Sequence, residues 1–112
     1  MIAGADPNVR DRSQRSPLHV AAIAGYHRVA GMLLNRADVD AKTASQSTPL
    51  HLAASGGHAL CISELLLGGA EKDVVDCYGK TPLFMATVNN HLEAVQELLA
   101  AGANYSLRTN NN

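Results

Sequence analysis

The chain has 112 residues, and its nine basic and ten acidic side chains give a formal net charge of −1. This length suits one domain, and a hydrophobic fraction of 46% is too high for a disordered chain. The small net charge excludes a protein that binds nucleic acid or an anionic membrane through its overall charge, so we expect neither as a partner.

Residues 1–10 have the composition of the end of a structural unit rather than of a complete one. A Gly-Ala step at residues 4–5 is followed by the polar run Asp-Pro-Asn at residues 6–8, which is typical of a turn. The same Gly-Ala step recurs twice later in the chain, at residues 69–70 and 102–103. We interpret residues 1–10 as the end of a truncated repeat, and the chain as a candidate fragment of a longer array.

The segment Ser16-Pro17-Leu18-His19 opens a motif that occurs three times. It recurs as Thr48-Pro49-Leu50-His51 and, with one more change, as Thr81-Pro82-Leu83-Phe84. The copies are separated by 32 and 33 residues. A fixed period of this length is the sequence signature of a repeat protein.

The chemistry of the motif predicts where the first helix of each copy begins and ends. A hydroxyl side chain accepts a free backbone N–H at the helix N-terminus, and the proline after it has no N–H to leave unpaired. The hydroxyl residues are Ser16, Thr48 and Thr81, and the prolines are Pro17, Pro49 and Pro82. Nine residues after each hydroxyl comes a residue that tolerates positive φ and so ends a helix, namely Gly25, Gly57 and Asn90.

A second helix follows in each copy and is clearest in the third. Leu92, Val95, Leu98 and Leu99 recur at helical spacing and form one apolar stripe. Each copy also carries a leucine pair near the end of this helix, at residues 33–34, 65–66 and 98–99. The copies therefore predict pairs of antiparallel helices separated by polar turns.

A repeat of about 33 residues with a Thr-Pro-Leu-His motif and two helices resembles the ankyrin repeat. The resemblance implies an all-α solenoid of stacked helix-turn-helix repeats with β-turn or hairpin loops. Its repeats span residues 11–42, 43–75 and 76–108, and we expect residues 109–112 to be a disordered tail. The resemblance also implies that His19 and His51 form hydrogen bonds within and between repeats.

Several positions depart from the repeat pattern. Gln14 and Gln46 stand where the family usually has a turn glycine, which Gly79 keeps, so we expect the first two turns to be less regular than the third. Repeat 1 lacks the glycine after its second helix, which predicts a tighter or irregular helix end. Leu60 and Leu67 fall on the face that should meet solvent, as isolated exposed residues or as an apolar contact patch.

The sequence carries no pattern that indicates an enzyme, a metal site or a cofactor. Motifs such as C-x-x-C, H-E-x-x-H, the P-loop and G-x-S-x-G are absent, and we expect no catalytic residue. Cys61 is predicted to be a core residue, and Cys77 is predicted to lie in an exposed turn. Two cysteines are too few for a disulfide framework, so we expect an intracellular protein, cytoplasmic or nuclear. No signal peptide and no apolar run of about 20 residues is present.

Asn8 and the arginines near residue 10 each leave two interpretations open. Asn8 matches a position that is β-hydroxylated in some ankyrin-like proteins, or it holds the backbone of the turn. Arg10, Arg12 and Arg15 cluster at one predicted turn. They form either a solvated charge run or a contact for an acidic segment of a partner.

The resemblance implies that a protein partner binds the concave surface formed by the turn tips and the exposed side of each first helix. Tyr78 is the best anchor candidate, because interfaces favour amphipathic aromatic side chains. Carried over by position, the binding residues are Arg12, Ser13, Arg15, Ile23, Ala24, Ala44, Ser45, Ser47, Ser55, Gly56, Cys77, Tyr78, Lys80, Val88 and Asn89.

An alternative is self-association or intramolecular packing through the apolar flank of repeat 1. If a preceding repeat is missing, Leu18, Val29 and Leu33 would lie open and could stack on another copy or another domain. A module that binds a partner through its concave face should instead be a monomer, which we expect here.

Overall fold

The computed structural model describes residues 8–105, and in this range the chain is helical without an assigned strand. The helices are α1 (Pro17–Ala24), α2 (His27–Leu33), α3 (Pro49–Ser55), α4 (Ala59–Leu67), α5 (Pro82–Val88) and α6 (Leu92–Ala100). The predicted all-α repeat fold is confirmed. Most of the truncated repeat expected at residues 1–10, and the tail expected at 109–112, lie outside the described residues.

Each first helix begins at the predicted hydroxyl residue. Ser16, Thr48 and Thr81 have extended backbones, and their hydroxyl oxygens accept the backbone N–H three residues later. In α1 and α3 the residue that provides this N–H is a histidine, whose ring accepts the backbone N–H of the capping residue in return. Phe84 has no acceptor, so the cap of α5 is one-sided.

The predicted helix-ending residues all adopt positive φ, at +78° for Gly25, +73° for Gly57 and +59° for Asn90. In repeats 2 and 3 the helix itself ends two residues earlier, and Gly56 and Asn89 are the C-caps. The left-handed residue then turns the chain directly into the second helix of the same repeat.

The helices form two layers along an axis of 45 Å. One layer is made of α1, α3 and α5, the other of α2, α4 and α6, and each helix packs on its sequence partner and on the equivalent helix of the next repeat. The core between the layers consists of leucines, one isoleucine and many alanines, which let the helices approach closely. Its largest fully buried apolar residues are Leu18, Leu50, Ile62, Leu65 and Leu98.

Two expectations are wrong. The turns at Gln14 and Gln46 are as regular as the third, because both glutamines adopt φ of +65° and donate the same backbone hydrogen bond as Gly79. Leu18 and Leu33 do not lie open: both are buried, because repeat 2 and the partner helix of repeat 1 cover them, and only Val29 of that trio is exposed.

The end of the second helix in repeat 1 does differ from the others, as expected. The helix α2 stops after seven residues, whereas α4 and α6 have nine. The backbone N–H of Ala37 still donates to Leu33 in the α-helical manner, whereas Gly69 and Gly102 end the other two helices with positive φ. Without a glycine, repeat 1 closes through a tighter turn.

Candidate functional site

The tips of the three turns, residues 11–15, 43–47 and 76–80, have one common construction. In each, the first residue donates its backbone N–H to the carbonyl of the last and accepts the N–H of the fourth. The side chain of the first residue also accepts backbone N–H groups: Asp11 from Ser13 and Arg15, and Asp76 from Tyr78 and Lys80. Side-chain oxygens therefore fix the shape of each tip.

Adjacent tips are joined edge to edge. Ala44 donates its N–H to the carbonyl of Ser13 at 3.1 Å, and Cys77 donates to Ser45 at 3.0 Å. These bonds hold the three tips in one row beside the first helices. The hydrogen-bonded row of tips thus forms one edge of the surface beside the first helices.

Two buried histidines connect α1 to the second tip and α3 to the third tip. The backbone N–H of Ser16 donates to Nδ1 of His19 at 3.0 Å, so Nδ1 is the unprotonated nitrogen and Nε2 carries the proton. Nε2 then donates to the carbonyl of Ser47 at 3.0 Å. His51 repeats this arrangement with Thr48 and with the carbonyl of Lys80, at 2.8 Å, so the predicted bonds within and between repeats are confirmed. Burial lowers the pKa of both histidines.

A groove of about 500 Å³ lies between repeats 1 and 2, beside the first helices and the tips. Its lining includes two large apolar side chains, Ile23 of α1 and Leu52 of α3, together with residues of the first and second tips. The structure thus brings together seven of the sequence-predicted residues: Arg12, Ser13, Arg15, Ile23, Ala44, Ser45 and Ser47. Sequence reasoning missed Thr43 and Leu52, although Leu52 lies one turn before the predicted residue Ser55 on α3.

The three arginines at the first tip have different partners. Arg10 donates to the carbonyls of Gln14 and Lys42, so it joins the first tip to the end of repeat 1. Arg15 forms an ion pair with Asp11 at 2.8 Å, and the hydrogen bond from the Arg15 backbone N–H is the main cause of the lowered pKa of Asp11. The exposed Arg12 guanidinium has no partner among residues 8–105, which leaves it as the uncompensated cation of the groove.

The third tip carries an exposed aromatic group. The Lys80 ammonium lies 5.6 Å from the ring centres of both Tyr78 and Phe84, within the range of cation–π attraction. Phe84 was not predicted as part of this surface, but its place at the motif histidine was a visible signal. Cys77 is exposed and unpaired beside Tyr78.

The remaining predicted residues lie at the ends of the first helices, apart from the groove. Ala24, Val88 and Gly56 are exposed. Asn89 donates to the carbonyl and the hydroxyl of Ser55, both at 3.1 Å. Ser55 and Asn89 thus join repeats 2 and 3 at this level.

The family model described as Ankyrin repeats (3 copies) matches residues 1–74 and 18–109. The chain belongs to the ankyrin-repeat family. Ankyrin repeats generally mediate protein–protein interaction, and the family is typically non-enzymatic. No curated protein matches the chain.

In this ankyrin array Asn8 has a clear structural role. Its Oδ1 accepts the backbone N–H of Asp38 at 2.8 Å. Asp40 does the same for Glu71, and Asp73 for Asn104, each one repeat further along. Asn8 therefore holds the loop of the next repeat, which supports the structural interpretation, and its hydroxylation stays untested.

Other kinds of site find no support in the part of the chain that the structure describes. Residues 8–105 contain no cluster of three or more His, Cys, Asp or Glu side chains suited to a metal ion. None of the described helices has the length and apolarity needed to cross a membrane. Cys61 is fully buried, and burial raises the pKa of its thiol, as expected of a core residue.

Proposed function

We propose that the chain is an intracellular protein-binding module whose concave face takes an extended segment of a partner protein. Acidic residues of the segment lie over the first tip, near Arg12, and an apolar residue lies against Tyr78. The chain acts as an adaptor or regulatory binding domain, without catalysis and without a cofactor. The exposed unpaired thiol of Cys77 supports a reducing compartment.

The observation that carries this proposal is the groove between repeats 1 and 2. Its lining includes the apolar side chains of Ile23 and Leu52 and the unpaired guanidinium of Arg12. Apolar side chains contribute binding free energy through burial, and an uncompensated cation beside them favours an acidic partner. The hydrogen bonds within and between the tips lower the entropic cost of binding, because the tips are already ordered.

The test uses fluorescence anisotropy with labelled extended peptides in which a Glu-Glu pair and a leucine are separated by varied numbers of residues. We expect tighter binding than for peptides with Lys-Lys in place of Glu-Glu. Arg12→Glu should weaken binding about tenfold and make it less sensitive to salt. Tyr78→Ala should weaken binding of those peptides that reach the third tip.

The matched control is Lys72→Glu, which makes the same charge change in the loop after α4, outside the groove and outside the second helices. It should leave peptide affinity unchanged. The same variants are then applied to a protein captured by the intact chain. If Arg12→Glu, Arg15→Glu and Tyr78→Ala all leave the affinity of that partner unchanged, the concave face is not the binding site.

A further inference from the structure

The side of the molecule opposite the groove is formed by the second helices, and its middle is apolar. On α4, Leu60 is 63% exposed and Leu67 is 83% exposed. They stand seven residues apart, so both lie on one stripe of the helix. We call this surface the outer face. It consists of Leu60, Leu67 and the exposed charged residues of α2 and α6.

Charges of opposite sign flank this stripe. The second residue of α2 is Arg28, the second residue of α4 is Leu60, and the second residue of α6 is Glu93, so the three form one row across the outer face. Residues 26–37 contain Arg28 and Arg36 and no acidic side chain. Residues 91–101 contain Glu93 and Glu97 and no lysine or arginine.

Among residues 8–105, these charges have no partner of opposite sign. In the part of the chain that the structure describes, the ion pair between Arg15 and Asp11 is the only salt bridge. Neither Arg28 nor Glu93 has an ion-pair partner in this range. Like the leucines, they are exposed. The outer face therefore has one edge with the basic Arg28 and the exposed Met32, a middle with the two exposed leucines, and an acidic edge.

We propose that the outer face binds a second copy of this chain, as a weak symmetric dimer. A two-fold axis parallel to α4 in the contact plane sets α4 against its own copy and α2 against α6 of the second chain. Rotation about this axis leaves each residue's position along the helix direction unchanged. Leu60 and Leu67 therefore meet the same residues of the second chain, and Arg28 of each chain meets Glu93 of the other. An isologous contact of this kind closes with two chains.

The carboxylate nearest the axis does not oppose this contact. Glu64 lies between the two leucines in sequence, but its side chain is turned onto Gly31 of α2, and it is only partly exposed. The concave grooves of the two chains remain open, on opposite sides of the dimer. Such a dimer is bivalent and would bind a partner with two copies of the recognised segment more tightly than one chain does.

The first experiment measures mass by sedimentation velocity from about 10 µM to about 1 mM. The apolar stripe is narrow, so we expect the dissociation constant to be on the order of 100 µM. The mass should rise from one chain to two, and Leu67→Gln should keep it at one chain throughout. The matched control is Ile23→Gln, an exposed apolar residue of the concave side, which should not change the dimer.

The second experiment exchanges the charges. Arg28→Glu and Glu93→Arg should each weaken dimerisation about tenfold or more, because like charges then face each other across the axis. The double variant R28E/E93R should restore it, since the two residues meet only between chains. Circular dichroism checks that each variant is folded.

Three results would overturn the dimer through the outer face. The first is a mass of one chain up to about 1 mM. The second is a double charge exchange that does not restore dimerisation. The third is a dimer that Val29→Glu abolishes and Leu67→Gln does not, which would assign self-association to the flank of repeat 1 instead. None of these results bears on peptide binding in the groove, so the two proposals fail independently.

Discussion

At the scale of single residues, His19 and His51 are connectors that work only in the neutral form. Their Nδ1 atoms accept backbone N–H groups and their Nε2 atoms donate to carbonyls of the next repeat. A proton added to Nδ1 would remove the acceptor and leave a charge in a buried site. The connection between repeats therefore depends on pH.

We predict that the free energy of unfolding falls as the pH is lowered from 7 to 5. Burial lowers the pKa of both histidines below the ordinary value of 6.5, so the unfolded chain takes up protons first. The stabilisation from the neutral form is complete above about pH 6.5 and is lost as the pH falls through that value towards the lower folded-state pKa. Urea denaturation at several pH values measures this.

The control for the pH dependence is His51→Phe, which copies Phe84 of the third repeat. It leaves the N–H of Thr48 and the carbonyl of Lys80 without their histidine partner, so we expect a loss of about 1–3 kcal/mol at pH 7. Its stability should depend less on pH than that of the unchanged chain. An equal pH dependence in both proteins would show that His51 does not cause it.

At the scale of elements, the repeats are joined where a histidine ring lies over a glycine. A Cβ atom on Gly25 would collide with the ring of His58, and one on Gly57 with the ring of His91. Both glycines also have positive φ, so each serves two needs, the turn between helices and the close approach of the next repeat.

We predict that Gly57→Ala destabilises the fold more than Gly69→Ala. Both sites have positive φ, which costs an alanine about 1–2 kcal/mol, but an added Cβ has nothing within 4 Å at Gly69. The collision with His91 should add about 1–3 kcal/mol for Gly57→Ala. Chemical denaturation of the two variants measures the difference, and equal losses would mean that the ring moves aside without cost.

The sequence predicted the elements well where local chemistry determines them. Ser16 and Thr48, each followed by proline, predicted the helix starts because a cap acts on its own helix. The regular turns at Gln14 and Gln46 were not predictable from residue type, because the strained φ of +65° is held by the bonds within each tip. The burial of Leu18 and Leu33 was missed because it depends on neighbours in the folded stack.

At the scale of the whole molecule, the two cysteines report on different regions. Cys77 is exposed at the third tip, whereas Cys61 is fully buried in α4, in the central repeat. An opening of the core around α4 is therefore needed to expose the thiol of Cys61.

We predict that one thiol reacts with a disulfide reagent in the native protein and the second reacts only when the stack opens. The logarithm of the slow rate should fall linearly with the free energy of unfolding, so Gly57→Ala should accelerate the slow phase and leave the fast rate unchanged. The control is Cys77→Ser, which should remove the fast phase alone. Two fast phases in the native protein would contradict a cooperative central repeat.

The candidate site was predictable only in part. Seven groove residues follow from their position in the repeat, because the period brings equivalent residues into one row. The different roles of Arg10, Arg12 and Arg15 were not predictable, because they depend on which carbonyl or carboxylate lies within reach. The same holds for Lys80 between Tyr78 and Phe84.

The ring-over-glycine contact also determines where the array can gain length. Repeat 2 offers His58 to the repeat before it and Gly57 to the repeat after it, so an inserted second copy of residues 43–75 would satisfy its neighbours on both sides. Repeat 3 has Asn90 and Thr87 where repeat 2 has Gly57 and the fully buried Ala54. A copy attached behind repeat 3 would meet Asn90 and Thr87, which are larger than the glycine and the alanine at the equivalent positions of repeat 2. Duplication inside the stack is therefore the tolerated route to a longer protein.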